Sequence, residues 1–130
     1  MIRGIGLDLC DSERMKRLSE SRRFCEKVFT EEELEYAFKR SEPALHLAGA
    51  FAAKEAFAKA SGLGLGAVGL KNVSLSHDSE GRPFLRLNPD ADALKAFQKT
   101  PVHLSLSHDR GIAAAVVICE TFSLCAEQRA

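Results

Sequence analysis

Net charge is the first thing this sequence lacks: 18 lysines and arginines cancel 18 aspartates and glutamates. That balance excludes a strongly basic nucleic-acid binder, so a charged partner must be met by a local patch. Cysteine is sparse. None of the four residues (Cys10, Cys25, Cys119 and Cys125) forms a C-x-x-C pair or sits at zinc-like spacing with a histidine. A disulfide framework is not expected, and reduced thiols in a cytoplasmic protein are. No apolar run approaches the roughly 18 residues of a membrane span. The opening MIRGIGLDLC turns acidic too early for a signal peptide. Linkers and low-complexity stretches are missing too, so nothing divides the chain.

What remains is an ordinary globular mixture, 45% apolar and 28% charged, over 130 residues. One domain, 1–130, is expected, burying about two-thirds of its unfolded surface.

Ile2 to Leu9 reads as a strand, with Ile5, Leu7 and Leu9 on one face and Asp8 on the other. Asp11 or Ser12 can cap a helix through Leu18. A basic segment, Ser21-Arg22-Arg23-Phe24-Cys25, follows. Thr30-Glu31-Glu32-Glu33 is a capping box opening a helix to about Lys39. Pro43 suits the first turn of the longest helix, about Ala44 to Ser61, which is apolar around most of its circumference and so largely buried. Four glycines (Gly62, Gly64, Gly66 and Gly69) make a loop after it. The period then changes to two. A hairpin turns at Glu80-Gly81-Arg82-Pro83, a short helix runs from Asn88 to Phe97, and a strand opens at Pro101. Asp109-Arg110-Gly111 turns into an apolar last strand, Ile112 to Cys119, and the tail Thr121 to Ala130 is weakly specified. The predicted class is α+β: a mostly antiparallel sheet packed against a long central helix.

Four features carry possible chemistry. Asp8 is the polar residue of an apolar strand, and on its own it reads as solvent-facing or as a cap. Glu55 lies in Ala52-Ala53-Lys54-Glu55-Ala56-Phe57-Ala58-Lys59, where pairing with Lys59 at i,i+4 is the plain reading and a cleft-facing charge the other. The glycine loop suits close approach by a ligand. It lacks the Gly-Lys-Ser/Thr ending of a P-loop and follows a helix instead of preceding one. His108 ends a strand beside Asp109, a natural phosphate contact or proton carrier. Two carboxylates with lysines, a histidine and no thiol set suit a hard cation. Magnesium takes such oxygens together with water and substrate phosphate, which is the equipment of phosphoryl transfer.

Gly4-Ile5-Gly6-Leu7-Asp8, Phe51-Ala52-Ala53-Lys54-Glu55-Ala56, Gly81-Arg82-Pro83 and Ser105-Leu106-Ser107-His108 occur in that order. Together they resemble the holo-[acyl-carrier-protein] synthases, the small bacterial 4′-phosphopantetheinyl transferases, over roughly Met1 to Glu120. The resemblance implies transfer of 4′-phosphopantetheine from coenzyme A to a serine of apo-acyl carrier protein in fatty acid biosynthesis. Adenosine 3′,5′-bisphosphate leaves, magnesium is required, and the active sites lie between the subunits of a homotrimer. It assigns Asp8 and Glu55 to the metal, Glu55, Lys59, His108 and Asp109 to catalysis, and Lys59 and His108 to the coenzyme A phosphates. Lys54 is expected near the metal and leaving group, Gly64 and Gly66 beside coenzyme A, and Asp109 as the residue orienting His108. Arg14, Arg17, Arg22, Arg23 and Phe24 correspond to the region that docks the acidic carrier. Read without the resemblance, they are a solvated basic face. Neither nucleic acid nor membrane is an expected partner.

One departure stands out. The family usually reads Gly-Arg-Phe-Ala-Ala-Lys-Glu, and here Ala50 replaces the arginine, expected on the helix face of the site. It supports a rival reading, a weakly active or inactive relative that binds coenzyme A or a carrier protein. A hydrolase without a protein acceptor and a purely structural trimer are further rivals. Finally, Ser-Leu-Ser-His-Asp occurs twice, at 74–78 and 105–109. Only His108 matches the site, so His77 is expected to be an exposed strand end.

Overall fold

The computed structural model describes residues 1–121. The tail beyond Thr121, with Cys125, lies outside the described residues. The chain opens with β1 (Ile2–Asp11), followed by α1 (Ser12–Leu18), α2 (Arg22–Val28), α3 (Glu31–Phe38) and α4 (Pro43–Ser61). A one-turn helix, α5 (Leu65–Val68), precedes β2 (Val73–His77), β3 (Pro83–Leu87), β4 (Val102–Asp109) and β5 (Ile112–Glu120).

The helix starts are set by local chemistry. Asp11 accepts from the Glu13 amide, Ser21 from that of Phe24, and Thr30 and Glu33 complete the expected reciprocal box. Pro43 occupies the first turn of α4, and Gly62, at φ 76°, ends it in the left-handed conformation. α2 forms from the segment expected only as a basic stretch, α5 lies within the expected glycine loop, and a short 3-10 turn (Leu70–Asn72) follows that loop.

The antiparallel pairing is divided between two sheets. β1-β5-β4 form a three-stranded sheet and β2-β3 a hairpin of their own. Asp8 lies opposite Ala115, His108 opposite Ala113, and His77 opposite Pro83. α4 lies across the larger sheet. Its Ala52, Ala53, Ala56, Phe57 and Ala60 are buried with Ala113, Ala115, Val117 and Cys119 of β5.

β1 is turned the other way from the simple amphipathic expectation. Ile5, Leu7 and Leu9 are 64%, 61% and 64% exposed, while Gly6 and Cys10 are buried and Asp8 half-buried. The inward face is therefore the glycine face. A Cβ at Gly4 or Gly6 would fall 1.9 Å from the carbonyl oxygens of Ala60 or Ala56, so only glycine lets α4 lie this close.

Candidate functional site

Close packing of β1 on α4 brings Asp8 beside Glu55. Burial, then the facing Asp8 carboxyl, push the Glu55 acid up to about 7. Asp8 Oδ2 is buried with no hydrogen-bond partner among the described residues. Two facing carboxylates with an orphaned oxygen are relieved by a shared proton or by a cation.

Lys59, one turn after Glu55, donates to Asp8 Oδ1 at 3.1 Å and to the Leu7 carbonyl at 2.9 Å. Its ion pair is thus with Asp8 across the strand, in place of the expected pair with Glu55. Glu55 and Lys59 line a cavity of about 390 Å³ with Ala58, Gly62, Gly64 and Leu65. Gly64, at φ 78°, and Gly66 are exposed, and no atom of the described residues lies near a Cβ built on either. Gly64 borders the cavity and Gly66 does not. Arg14 of α1 is near enough that its charge opposes the rise of the Glu55 acid.

Lys54 does not join this group. Its side chain is fully buried, and its ammonium donates to Glu33 Oε1 at 2.7 Å and to the Leu70 and Val73 carbonyls at 2.8 and 2.6 Å. All three hydrogens are consumed by the protein, so the expectation that Lys54 meets coenzyme A or the leaving group is corrected. Adjacent residues on a helix point about 100° apart, which is why Lys54 and Glu55 have separate fates. Ala50, four residues before Lys54, shares the Lys54 side. It is buried with Glu33, Tyr36, His46, Leu75 and His77 and does not face the carboxylate pair.

His108 lies in another place. It lines a cavity of about 200 Å³ with Leu45, His46, Gly49, Leu75, His77, Leu106, Ser107 and Ala113. His46 precedes Glu55 by nine residues. At 3.6 residues per turn that is about two and a half turns, so the two leave opposite sides of α4. One chain therefore gathers Asp8, Glu55, Lys59 and Gly64 in one cluster and His108 in a second. His77 is half-buried, stacked on Tyr36 with ring centroids 3.9 Å apart and planes within 8°, and it opens into the His108 cavity. Its expected place as an exposed strand end is corrected: β2 pairs with β3 and turns His77 toward α3. Asp109 is exposed at the end of β4.

The docking candidates Arg14, Arg17, Arg22 and Arg23 are exposed on α1 and α2. Arg22 is paired with Glu26 at 2.8 Å. Phe24 is half-buried, edge-on to Phe29 at 6.2 Å. Sequence reasoning missed His46, Tyr36 and Arg40, the last stacked over the Tyr36 ring at 4.1 Å. The one usable signal was spacing: His46 and Ala50 share a helix face at i,i+4.

The chain is 45% identical over 122 residues to a holo-[acyl-carrier-protein] synthase of Treponema denticola, covering 92% of this chain and 99% of that protein. It is 44% identical to that of Syntrophus aciditrophicus, over 92% and 97%. The Neisseria meningitidis holo-[acyl-carrier-protein] synthase crystal structure superposes with a TM-score of 0.81 at 38% identity, covering 93% of this chain and all of that one. A Bacillus anthracis structure, solved in complex with CoA (3′,5′-ADP), matches at 0.79 and 33%, over 94% and 99%. Residues 4–117 match the family model of the 4′-phosphopantetheinyl transferase superfamily, and to that superfamily this chain belongs.

Proposed function

We propose that this enzyme transfers 4′-phosphopantetheine from coenzyme A to a serine of an apo-acyl carrier protein, as a holo-[acyl-carrier-protein] synthase. The observation that carries the reading is the Asp8–Glu55 carboxylate pair, held beside Lys59 at the mouth of a cavity. The serine Oγ forms a bond to the phosphorus that bears pantetheine. The anhydride P–O bond breaks, its oxygen leaves with adenosine 3′,5′-bisphosphate, and the hydroxyl proton passes to solvent.

The residues present fit magnesium, a cation that takes one or two carboxylates and completes its shell with water and phosphate. Asp8 and Glu55 would hold it, and the orphaned Asp8 Oδ2 and raised Glu55 acid support that assignment. When bound, the cation neutralises pyrophosphate charge as the anhydride breaks. Lys59 adds a mobile positive charge at the same edge: its side chain is 57% exposed and can turn to a phosphate. Gly64 leaves the backbone open for close approach. His108 is assigned to a phosphate of coenzyme A, with Asp109 steadying it from the strand end.

Two features support a homotrimer with shared sites. The exposed Ile5, Leu7 and Leu9 face of β1 is an apolar patch on a sheet. His108 and the carboxylate pair, separate within one chain, would then meet across an interface. Arg14 and Arg17 on α1 with Arg22 and Arg23 on α2 suit an acidic carrier approaching Glu55 from the Arg14 side. No helix of the described residues is long and apolar enough to cross a membrane. The cytoplasm and fatty acid biosynthesis are the setting that fits. Ala50 turns away from Asp8 and Glu55 and lies beside His46 and His77, on the His108 side.

Mass spectrometry of an apo-carrier incubated with coenzyme A and magnesium tests the reading. The carrier should gain one phosphopantetheine on its serine. A carrier of unchanged mass, or adenosine bisphosphate released with no carrier present, would overturn it.

A further inference from the structure

Three of the four histidines converge on one cavity. His46 comes from the first turns of α4, His77 from the end of β2 and His108 from the end of β4. Among the described residues, the lining holds no lysine, arginine or carboxylate. Leu45, Leu75, Leu106 and Ala113 supply apolar walls, while Gly49 and Ser107 leave room. At about 200 Å³ the space accommodates a tetrahedral oxyanion with its first waters.

Two of the rings are held in place. Tyr36 of α3 stacks flat on His77 and meets His46 edge-on at 5.6 Å. Arg40 lies over the same Tyr36 ring. The phenol ring thus fixes both imidazoles and separates them from a permanent cation. Ala50 lies behind them, in a narrower space shared with His46 and His77, at the position where the family usually carries arginine.

We propose that His46, His77 and His108 form a proton-linked anion pocket, in which a phosphate-type dianion seats among the three imidazoles and draws protons onto them from solvent. The inference extends the transferase reading, in which His108 meets a phosphate of coenzyme A, by adding two residues and a proton requirement. Where a fixed guanidinium would bind an anion at any ordinary pH, imidazoles bind it strongly only when charged.

The surroundings disfavour the charged forms of His46 and His77. His46 is pushed below the ordinary histidine range by burial, then by repulsion from Arg40 and His108, with Glu42 opposing. His77 is pushed down by burial, then by His46 and Arg40, with Glu32 and Asp78 opposing. Glu33 borders the adjoining space but is committed to Lys54, Thr30 and Leu75. Asp109, next to His108, is exposed. An anion reverses the repulsions, so its binding and proton uptake reinforce each other.

Sulfate is the probe, because it remains a dianion across the range in which histidine titrates and its own protonation cannot mimic the effect. Calorimetric titration of the full chain, without coenzyme A or carrier, should give binding at least about tenfold tighter at about pH 5.5 than at about pH 7.5, with net proton uptake. His46→Gln and His77→Gln should each weaken acid-side binding several-fold and flatten the pH dependence. Histidine ring NMR of the unaltered chain keeps the test independent of those variants folding. Sulfate should move the resonances of His46, His77 and His108 and leave His103, which pairs with Glu120 elsewhere, in place. Affinity that ignores pH, or ring signals that ignore sulfate, would overturn the proposal. Neither result touches the transferase reading, which the carrier mass measures separately.

Discussion

Gly6 lies against Ala56 so closely that a Cβ placed on it would fall 1.9 Å from the Ala56 carbonyl oxygen. Both partners are backbone, so neither can swing aside. The contact sets the separation of β1 and α4, and with it the distance between Asp8, two residues after Gly6, and Glu55, one before Ala56. Gly6→Ala should cost about 1–3 kcal/mol of stability, as overpacked sites do. It should also lower transfer in the fraction that remains folded. Unchanged melting temperature and turnover would show that the strand can shift without disturbing the pair.

The Asp8–Glu55 pair gives a signed dependence on pH. The Glu55 acid, at about 7, is raised above its ordinary value by burial and by Asp8. The metal-free protein therefore keeps this contribution to stability below the unfolded carboxylate range and loses it as pH rises through about 7. Magnesium binds the ionised pair, so it should raise the melting temperature more at about pH 8 than at about pH 6. Glu55→Gln should abolish the difference and cut transfer by at least about a hundredfold, the scale of a lost charge-stabilising group. Near-normal turnover of that variant at saturating magnesium would remove Glu55 from the metal.

Arg14 adjoins Glu55 on one side and the exposed basic face on the other. Reversing Arg14 and Arg22 to glutamate should raise the KM for the carrier about tenfold or more, with little change for coenzyme A. The effect should shrink as salt is added, since exposed charges are screened over about 8 Å at physiological ionic strength. Equal shifts in both constants would point to damage at the pair and not to docking.

Lys54 is buried as a structural cation. Lys54→Met keeps the length and apolar stem but leaves the buried Glu33 carboxylate without its cation. Removing one partner of a buried pair costs about 3–5 kcal/mol. The loss should appear in the melting temperature. The KM for coenzyme A of the folded fraction should be unaffected, because Lys54 has no exposed surface from which to touch it. A raised KM with unaltered stability would restore the catalytic expectation.

Much of this architecture can be read from local chemistry. The Thr30–Glu33 box, the proline start and glycine end of α4, and the hairpin at Gly81-Arg82-Pro83 each state their structure in a few residues. Faces are harder. Alternation divides β1 into two sides but not into inner and outer. Ile5 and Leu7 face outward, whereas Gly4 and Gly6 pack inward because α4 needs their missing side chains. Periodicity also does not reveal when a lysine finds three buried acceptors, so Lys54 read as functional. Repetition misled less than expected. The two Ser-Leu-Ser-His-Asp segments lie on different sheets, yet both histidines reach one cavity, a convergence that only the packing of β2 and β4 around α4 creates.

Glu33 ties distant pieces of the chain into one opening event. One of its oxygens receives the Thr30 amide at 3.0 Å and the Lys54 ammonium at 2.7 Å, and the other receives the Leu75 amide at 2.8 Å. The start of α3, the middle of α4 and the edge of the histidine cavity therefore share a single acceptor. None of them can fray alone without stranding a buried charge. Slow hydrogen exchange at Thr30 and Leu75 would then report loss of the whole fold, and the site would inherit rigidity from a carboxylate that touches neither substrate.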